Sequence, residues 1–231
     1  MMRKGFLACA AAMALGAALT LYGESAAEGA LLPDPAGAVR DEPGDGGGYS
    51  LVLAGGCFWG MQEVFDHVRG VKETVVGYAN GDPADAHYDR VSTGRTGHAE
   101  AIRVTYDPDR VSLGQLLKVY FAVAHDPTLK DAQGPDRGPQ YRSEIFTANP
   151  AQEQAAKAYI AELDRSKLFP APIATKVETL AGFYPAEDYH QHYAEKNPDS
   201  PYIVINDLPK VIALEKTYPE LYRDDKGSGH D

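Results

Sequence analysis

The sequence predicts an α+β fold: a two-layer sandwich in which helices pack on a mixed, mostly antiparallel sheet, in the split β-α-β (ferredoxin-like) manner. Three observations carry this. Segments whose apolar side chains alternate with period 2 are interleaved with segments of helical period. Read in order, they give β-α-β-β-α-β-α-β. The 231 residues, 44% hydrophobic and 24% charged, have the balance of one globular domain with a substantial core.

The first strand is the short apolar run "YSLVLAGG", closed by two glycines. Phe58, Met61, Val64, Phe65 and Val68 then recur at helical spacing until Gly70, which puts Cys57 where a strand turns into a helix. "VKETVVGYANG" reads as the second strand and "HAEAIRVTYDPDRV" as the third, ended by a turn at Asp107-Pro108. In "SLGQLLKVYFAVAHD" Ser112 is the expected N-cap of a helix whose inner face holds Leu113, Leu116, Leu117, Tyr120, Phe121 and Ala124. "QYRSEIFTA" is a fourth strand, "NPAQEQAAKAYIAELDRSKLF" a helix with Asn149 as cap and Pro150 at its first position, and "IATKVETL" a fifth strand. From about residue 182 the chain is rich in Tyr, His and Pro, and an irregular wrap over the sheet is expected.

The two ends differ from the domain, which is expected to span residues 51–223. Residues 1–27 combine Arg3 and Lys4, an apolar run from Phe6 to Leu21, and the small residues Ser25 and Ala27, the pattern of a signal peptide cut near Ala27. The expected location is therefore secreted or periplasmic, or membrane-anchored if the segment stays uncleaved. Residues 28–50 hold six glycines and three prolines, and a disordered tether is expected there. Residues 224–231 read as a flexible tail.

The formal net charge of −11 repels phosphate backbones and argues against a nucleic-acid partner. Cleavage would also remove Cys9, one of the two cysteines. A lone thiol in an oxidising compartment is a reactive group or an intermolecular partner, because no second cysteine remains to pair with it.

Cys57 is in the setting "GGCFWG". A helix N-terminus favours thiolate, so a lowered thiol pKa is expected, with the glycines leaving the sulfur uncovered. In "TGHAEAIRVTY", alternation puts Glu100 on the same face as Ile102, Val104 and Tyr106. A carboxyl held among such residues is desolvated and pushed toward neutrality, where it can donate a proton. His190 and His192 in "DYHQHY" lack a third ligand, so no metal site is expected.

Together, "GCFWG", "TGHAEAIRVTYDP" and "GPDRGPQYRSEIF", in this order, resemble the A-type peptide methionine sulfoxide reductases from about Leu51 to about Asn206. The resemblance implies that Cys57 is the nucleophile and that Glu100 protonates the sulfoxide oxygen. It further implies that Tyr88 and Tyr141 hydrogen-bond that oxygen, that Asp136 orients the substrate, and that Phe58 and Trp59 receive its methyl group. Free methionine sulfoxide and oxidised proteins are the implied substrates, reduced at the S epimer. Many members carry further cysteines near the C-terminus, whereas residues 197–231 have none and Ser92 stands where cysteine is often found. A monomeric one-cysteine enzyme without a bound cofactor is therefore expected, its sulfenic acid reduced by an external thiol, either small or on a thioredoxin-like protein outside the cytoplasm. Two other classes remain open: a cysteine hydrolase using His98 as base, and a noncatalytic module binding oxidised methionine.

Overall fold

A computed structural model of the chain describes residues 29–37, 40–44 and 47–224. The expected signal peptide, and all but the first residue of the expected tail, lie outside the described residues.

Six strands form the main sheet: β1 (Tyr49–Ala54), β2 (Val71–Ala79), β3 (Ala99–Tyr106), β6 (Glu144–Thr147), β7 (Lys176–Thr179) and β8 (Phe183–Pro185). A separate two-residue ribbon is made by β4 (Ala132–Gln133) and β5 (Asp136–Arg137). The order across the sheet is β7-β6-β1-β3-β2-β8, antiparallel throughout except for the β6–β7 pair. Both β1 and β2 run antiparallel to β3, which lies between them, so β1, its crossover helix α1 (Phe58–Asp66) and β2 form the expected split β-α-β unit.

This topology positions the chemistry. Because β3 runs against β1, the start of β3 lies beside the end of β1, and Glu100 comes next to the turn that carries Cys57. Alternation along β3 sends Ile102, Val104 and Tyr106 into the main core with Leu53, Met61 and Phe65, while Ala99 and Ala101 join a smaller cluster on the opposite face with Val52, Ala54, Ala79 and Phe146. Helices α3 (Leu113–Val119) and α4 (Pro150–Ser166) add Leu116, Leu117, Ala156 and Leu163 to the same main core as α1, so these three helices share one core. Both expected caps form. Ser112 and Gln115 make a reciprocal capping box, and Asn149 accepts from the Gln152 N–H ahead of Pro150.

Three expectations are corrected. The described part of residues 28–50 is not a free tether: β1 already begins at Tyr49, and the described residues before it are bound to the domain. The Leu32 side chain is buried, its N–H donates to Tyr218 Oη (2.8 Å), and Tyr159 donates to the Pro33 carbonyl (2.8 Å). Asp41, also buried, accepts from Tyr106 (2.5 Å), Asn149 (3.0 Å) and Gln152 (3.0 Å). A Gly/Pro-rich stretch cannot order itself, but here the donors come from side chains more than 60 residues away.

The stretch after residue 182 is also more regular than expected. β8 extends the sheet edge, and α5 (Tyr193–Lys196), a π-turn at Ile203–Asp207 and α6 (Leu208–Thr217) follow. Pro209 occupies the first turn of α6, directly after the π-turn. Third, Tyr141 is not on a strand but ends a 3-10 turn at Pro139–Tyr141, with β6 starting at Glu144.

Candidate functional site

Cys57 is the N-cap residue of α1. The chain reaches it through Gly56 in the left-handed region, φ +92°, where a Cβ would stand 2.6 Å from the Gln133 side chain. Only glycine fits that approach. The cysteine is 9% exposed, which puts the sulfur inside the protein and not on its surface.

That burial overturns the expectation of a lowered pKa. Desolvation pushes the Cys57 thiol well above its ordinary value, and the charges of Glu100 and Asp207 push it further. The backbone N–H of Trp59 at the start of α1 works the other way, as expected of a helix N-terminus, but it is the weaker influence. The resting group is the neutral thiol.

Glu100, 1% exposed, accepts a hydrogen bond from the Phe58 backbone N–H at 3.2 Å, one residue from the sulfur. Desolvation raises its pKa to about 8, although the Phe58 bond lowers it and Asp136 adds a smaller raise. Near neutral pH this carboxyl is therefore mostly protonated, as β-strand alternation suggested.

Tyr88, the first residue of the short helix α2 (Tyr88–Val91), and Tyr141 are half-buried and feel the same charges. Burial, and then Glu100, pushes both phenols up, with Cys57 a further contributor to each, so they remain O–H donors. Asp136 opens β5 and accepts from the Tyr202 hydroxyl at 2.5 Å. The structure thus brings all five polar residues of the sequence reading into one electrostatic neighbourhood around the sulfur.

The aromatic pair completes the setting. Phe58 is 1% exposed and sits 5.0 Å, ring to ring, from His190; Trp59 lies 6.5 Å from Phe58. Trp59 is held on three sides: its Nε1–H donates to His190 Nδ1 (3.1 Å), its face stacks on Tyr193 (3.8 Å, 12°), and Tyr202 meets it edge-on at 5.9 Å. The apolar wall is therefore pre-positioned.

Several members of this site were not found from sequence. Tyr202, Tyr193 and Asp207 come from the segment expected to be irregular, and Glu187 holds both Tyr78 Oη (2.8 Å) and the Tyr88 N–H (3.0 Å). The concentration of Tyr and His after residue 182 was the available signal. Other residues have structural partners. His192 pairs with Asp66 at 3.0 Å, Asp126 closes a turn onto Thr128, and His98 receives the Gly81 N–H at Nδ1 while Nε2 faces the Asp82 carbonyl.

A buried thiol facing a protonated carboxyl and two phenols, beside an aromatic wall, defines a thiol-dependent oxidoreductase site of the type that takes oxygen from a sulfur centre. Residues 49–221 match the family model described as peptide methionine sulfoxide reductase. Among similar proteins, peptide methionine sulfoxide reductase MsrA 2 of Mesorhizobium japonicum is 56% identical over 182 residues, covering 79% of this chain and 93% of that one. MsrA 2 of Synechocystis is 50% identical, covering 75% and 81%. Among solved structures, reduced Mxr1 of Saccharomyces cerevisiae superposes with a TM-score of 0.62 at 34% identity, covering 69% of this chain and 91% of that one. Methionine sulfoxide reductase A of Corynebacterium diphtheriae gives 0.57 at 37%, covering 72% and 83%. The chain belongs to the peptide methionine sulfoxide reductase family.

Proposed function

We propose that this protein reduces methionine S-sulfoxide, free and in oxidised proteins, through a one-cysteine cycle that takes its electrons from an external thiol. The observation that carries the reading is Glu100: a carboxyl kept protonated by burial and tied to the residue next to the nucleophile.

The chemistry asks for this pairing. Sulfur attack on a sulfoxide is slow unless the oxygen gains a proton as the new bond forms, since otherwise an oxide must be expelled. Glu100 supplies that proton, and Tyr88 and Tyr141 donate hydrogen bonds to the same oxygen. Phe58 and Trp59 receive the substrate's methyl group, and Asp136, held by Tyr202, orients the rest. Methionine leaves and Cys57 is left as a sulfenic acid. The only other cysteine in the sequence is Cys9, within the segment that reads as a signal peptide. An external thiol therefore attacks the sulfenic acid, water departs, and a second thiol resolves the mixed disulfide. The same segment supports export, with the reductant outside the cytoplasm; the protein is proposed to act as a monomer.

The rival hydrolase reading loses its base, because both ring nitrogens of His98 are engaged by Gly81 and Asp82. The test is to incubate the purified protein with each epimer of a methionine sulfoxide and dithiothreitol, and to follow methionine. Turnover of the S epimer alone supports the reading. Binding without turnover, or acyl-product release without reductant, overturns it.

A further inference from the structure

Three groups must meet the sulfoxide oxygen, and they come from three separate elements: Tyr88 opens α2, Tyr141 ends the 3-10 turn, and Glu100 is the second residue of β3. The two side chains that flank Tyr141 tie its turn to the other two elements. Gln140, which is buried, reaches α2. Its Nε2–H donates to the Ser92 carbonyl at 3.2 Å, and the Ser92 N–H donates in turn to the Tyr88 carbonyl at 2.9 Å. Two glycines make room for this amide: Gly94 and Gly138 both lie in the left-handed region, and a Cβ on either would crowd Gln140 Oε1. That oxygen is buried without a hydrogen-bond partner among the described residues, a cost that space-filling alone would not require, since a methionine would occupy the same volume.

Arg142 reaches β3 instead, and each nitrogen of its guanidinium grips a different partner. Nη2 donates to the Gly97 carbonyl (3.1 Å), three residues before Glu100. Nη1 donates to the Pro139 carbonyl (3.0 Å), at the start of the Tyr141 turn. Nε donates to Glu144 Oε2 (2.5 Å) on β6. Glu144 is fully buried and pairs across the sheet with Ala54, the last residue of β1 before the turn that carries Cys57. One planar group thus joins the approach to Glu100, the Tyr141 turn and the strand beside the one that delivers the sulfur. A guanidinium suits this because its donors diverge in one plane from a rigid fork.

We propose that Gln140 and Arg142 are positioning residues, which set the spacing of Tyr88, Tyr141 and Glu100 around the substrate oxygen without touching it. This rests on the reading above and deepens it. Donors aimed at a developing charge lose much of their effect when displaced by about 1 Å, so slackening either tie costs rate. The sulfur itself, on the turn after β1, keeps its own surroundings.

The test compares two reactions of the same thiol: single-turnover methionine formation from the S-sulfoxide, and alkylation by iodoacetamide, whose iodide leaves without a proton. Arg142→Lys keeps a cation beside Glu144 and loses the fork. It should slow the maximal rate of methionine formation by about 10-fold or more, with alkylation within about 2-fold of wild type. Gln140→Met fills the same volume without the donor and should act in the same sense, which supplies a second arm should the lysine variant fail to fold. In both, the loss should fall on the maximal rate and not on the half-saturating sulfoxide concentration, because Phe58 and Trp59 still receive the methyl group. A lysine variant with the wild-type rate would mean that only the charge opposite Glu144 matters, and overturns the proposal for Arg142; a methionine variant with the wild-type rate overturns it for Gln140. Two rates that fall together overturn it as well, since they place the loss in the fold or at the sulfur. If the wild type forms no methionine while its thiol still alkylates, the functional reading fails and the clamp's role falls with it.

Discussion

Replacing Glu100 with glutamine should make the protein more stable and nearly inactive, and the size of the stability gain is set by pH. An acid whose ordinary pKa is 4.5 is held at about 8 in the fold, so the folded state binds more protons than the unfolded state between those values. The sign follows directly: stability falls as pH rises from 4.5 through about 8. At 1.36 kcal/mol per pH unit the penalty is about 3 kcal/mol at pH 7, and it levels off at about 5 kcal/mol above pH 8. Glutamine has no ionisation to suppress, and its carbonyl oxygen still accepts the Phe58 N–H. For a domain of this size the pH 7 difference is roughly 6–12 °C in Tm. The assay is thermal unfolding of both proteins at pH 5, 7 and 8.5, alongside single-turnover methionine formation. The gap should nearly close at pH 5 and widen toward 8.5 while the rate collapses. A gap independent of pH would show that this carboxyl is not held neutral, and the assignment of Glu100 as the acid would fall with it.

Cys57→Ser should abolish methionine formation and leave the melting profile within about 1 kcal/mol of wild type, since the hydroxyl fills nearly the same volume; residual turnover refutes the nucleophile. Gly60→Ala should destabilise by about 1–3 kcal/mol and depress activity, because the new methyl lies 2.0 Å from Asp207 Oδ1; urea unfolding measures the first effect. Asp41→Ala removes an acceptor shared by Tyr106, Asn149 and Gln152 and should cost about 3 kcal/mol, with activity retained below the lowered Tm. Mass spectrometry after one turnover without reductant should find one added oxygen, on Cys57.

What could be read from the sequence was local. Alternation in "HAEAIRVTY" assigned Glu100 to the core face, the Ser112 and Asn149 caps need only a backbone N–H three residues on, and the glycines before Cys57 mark the tight turn. What could not be read depends on partners distant in sequence. The direction of the Cys57 shift was reversed because helix-end stabilisation is a local feature, whereas desolvation is imposed by the whole fold. Tyr202 is one of 14 tyrosines, and only the folded chain selects it by setting it between Asp136 and Trp59. Asp41 sat in a stretch whose composition argued against order, and its three donors come from β3 and the start of α4.

The strap formed by residues 29–37 and 40–44 has a consequence for how the molecule is made. Leu32 docks on Tyr218, 186 positions further along, and Asp41 closes on groups from the middle of the chain. A ribosome delivers this stretch early and the Tyr218 that receives Leu32 late, so the Leu32 end has nowhere to settle until synthesis is nearly over. It behaves as a seat belt fastened at the end of the journey, and a protein shortened at its C-terminus would leave the buckle open.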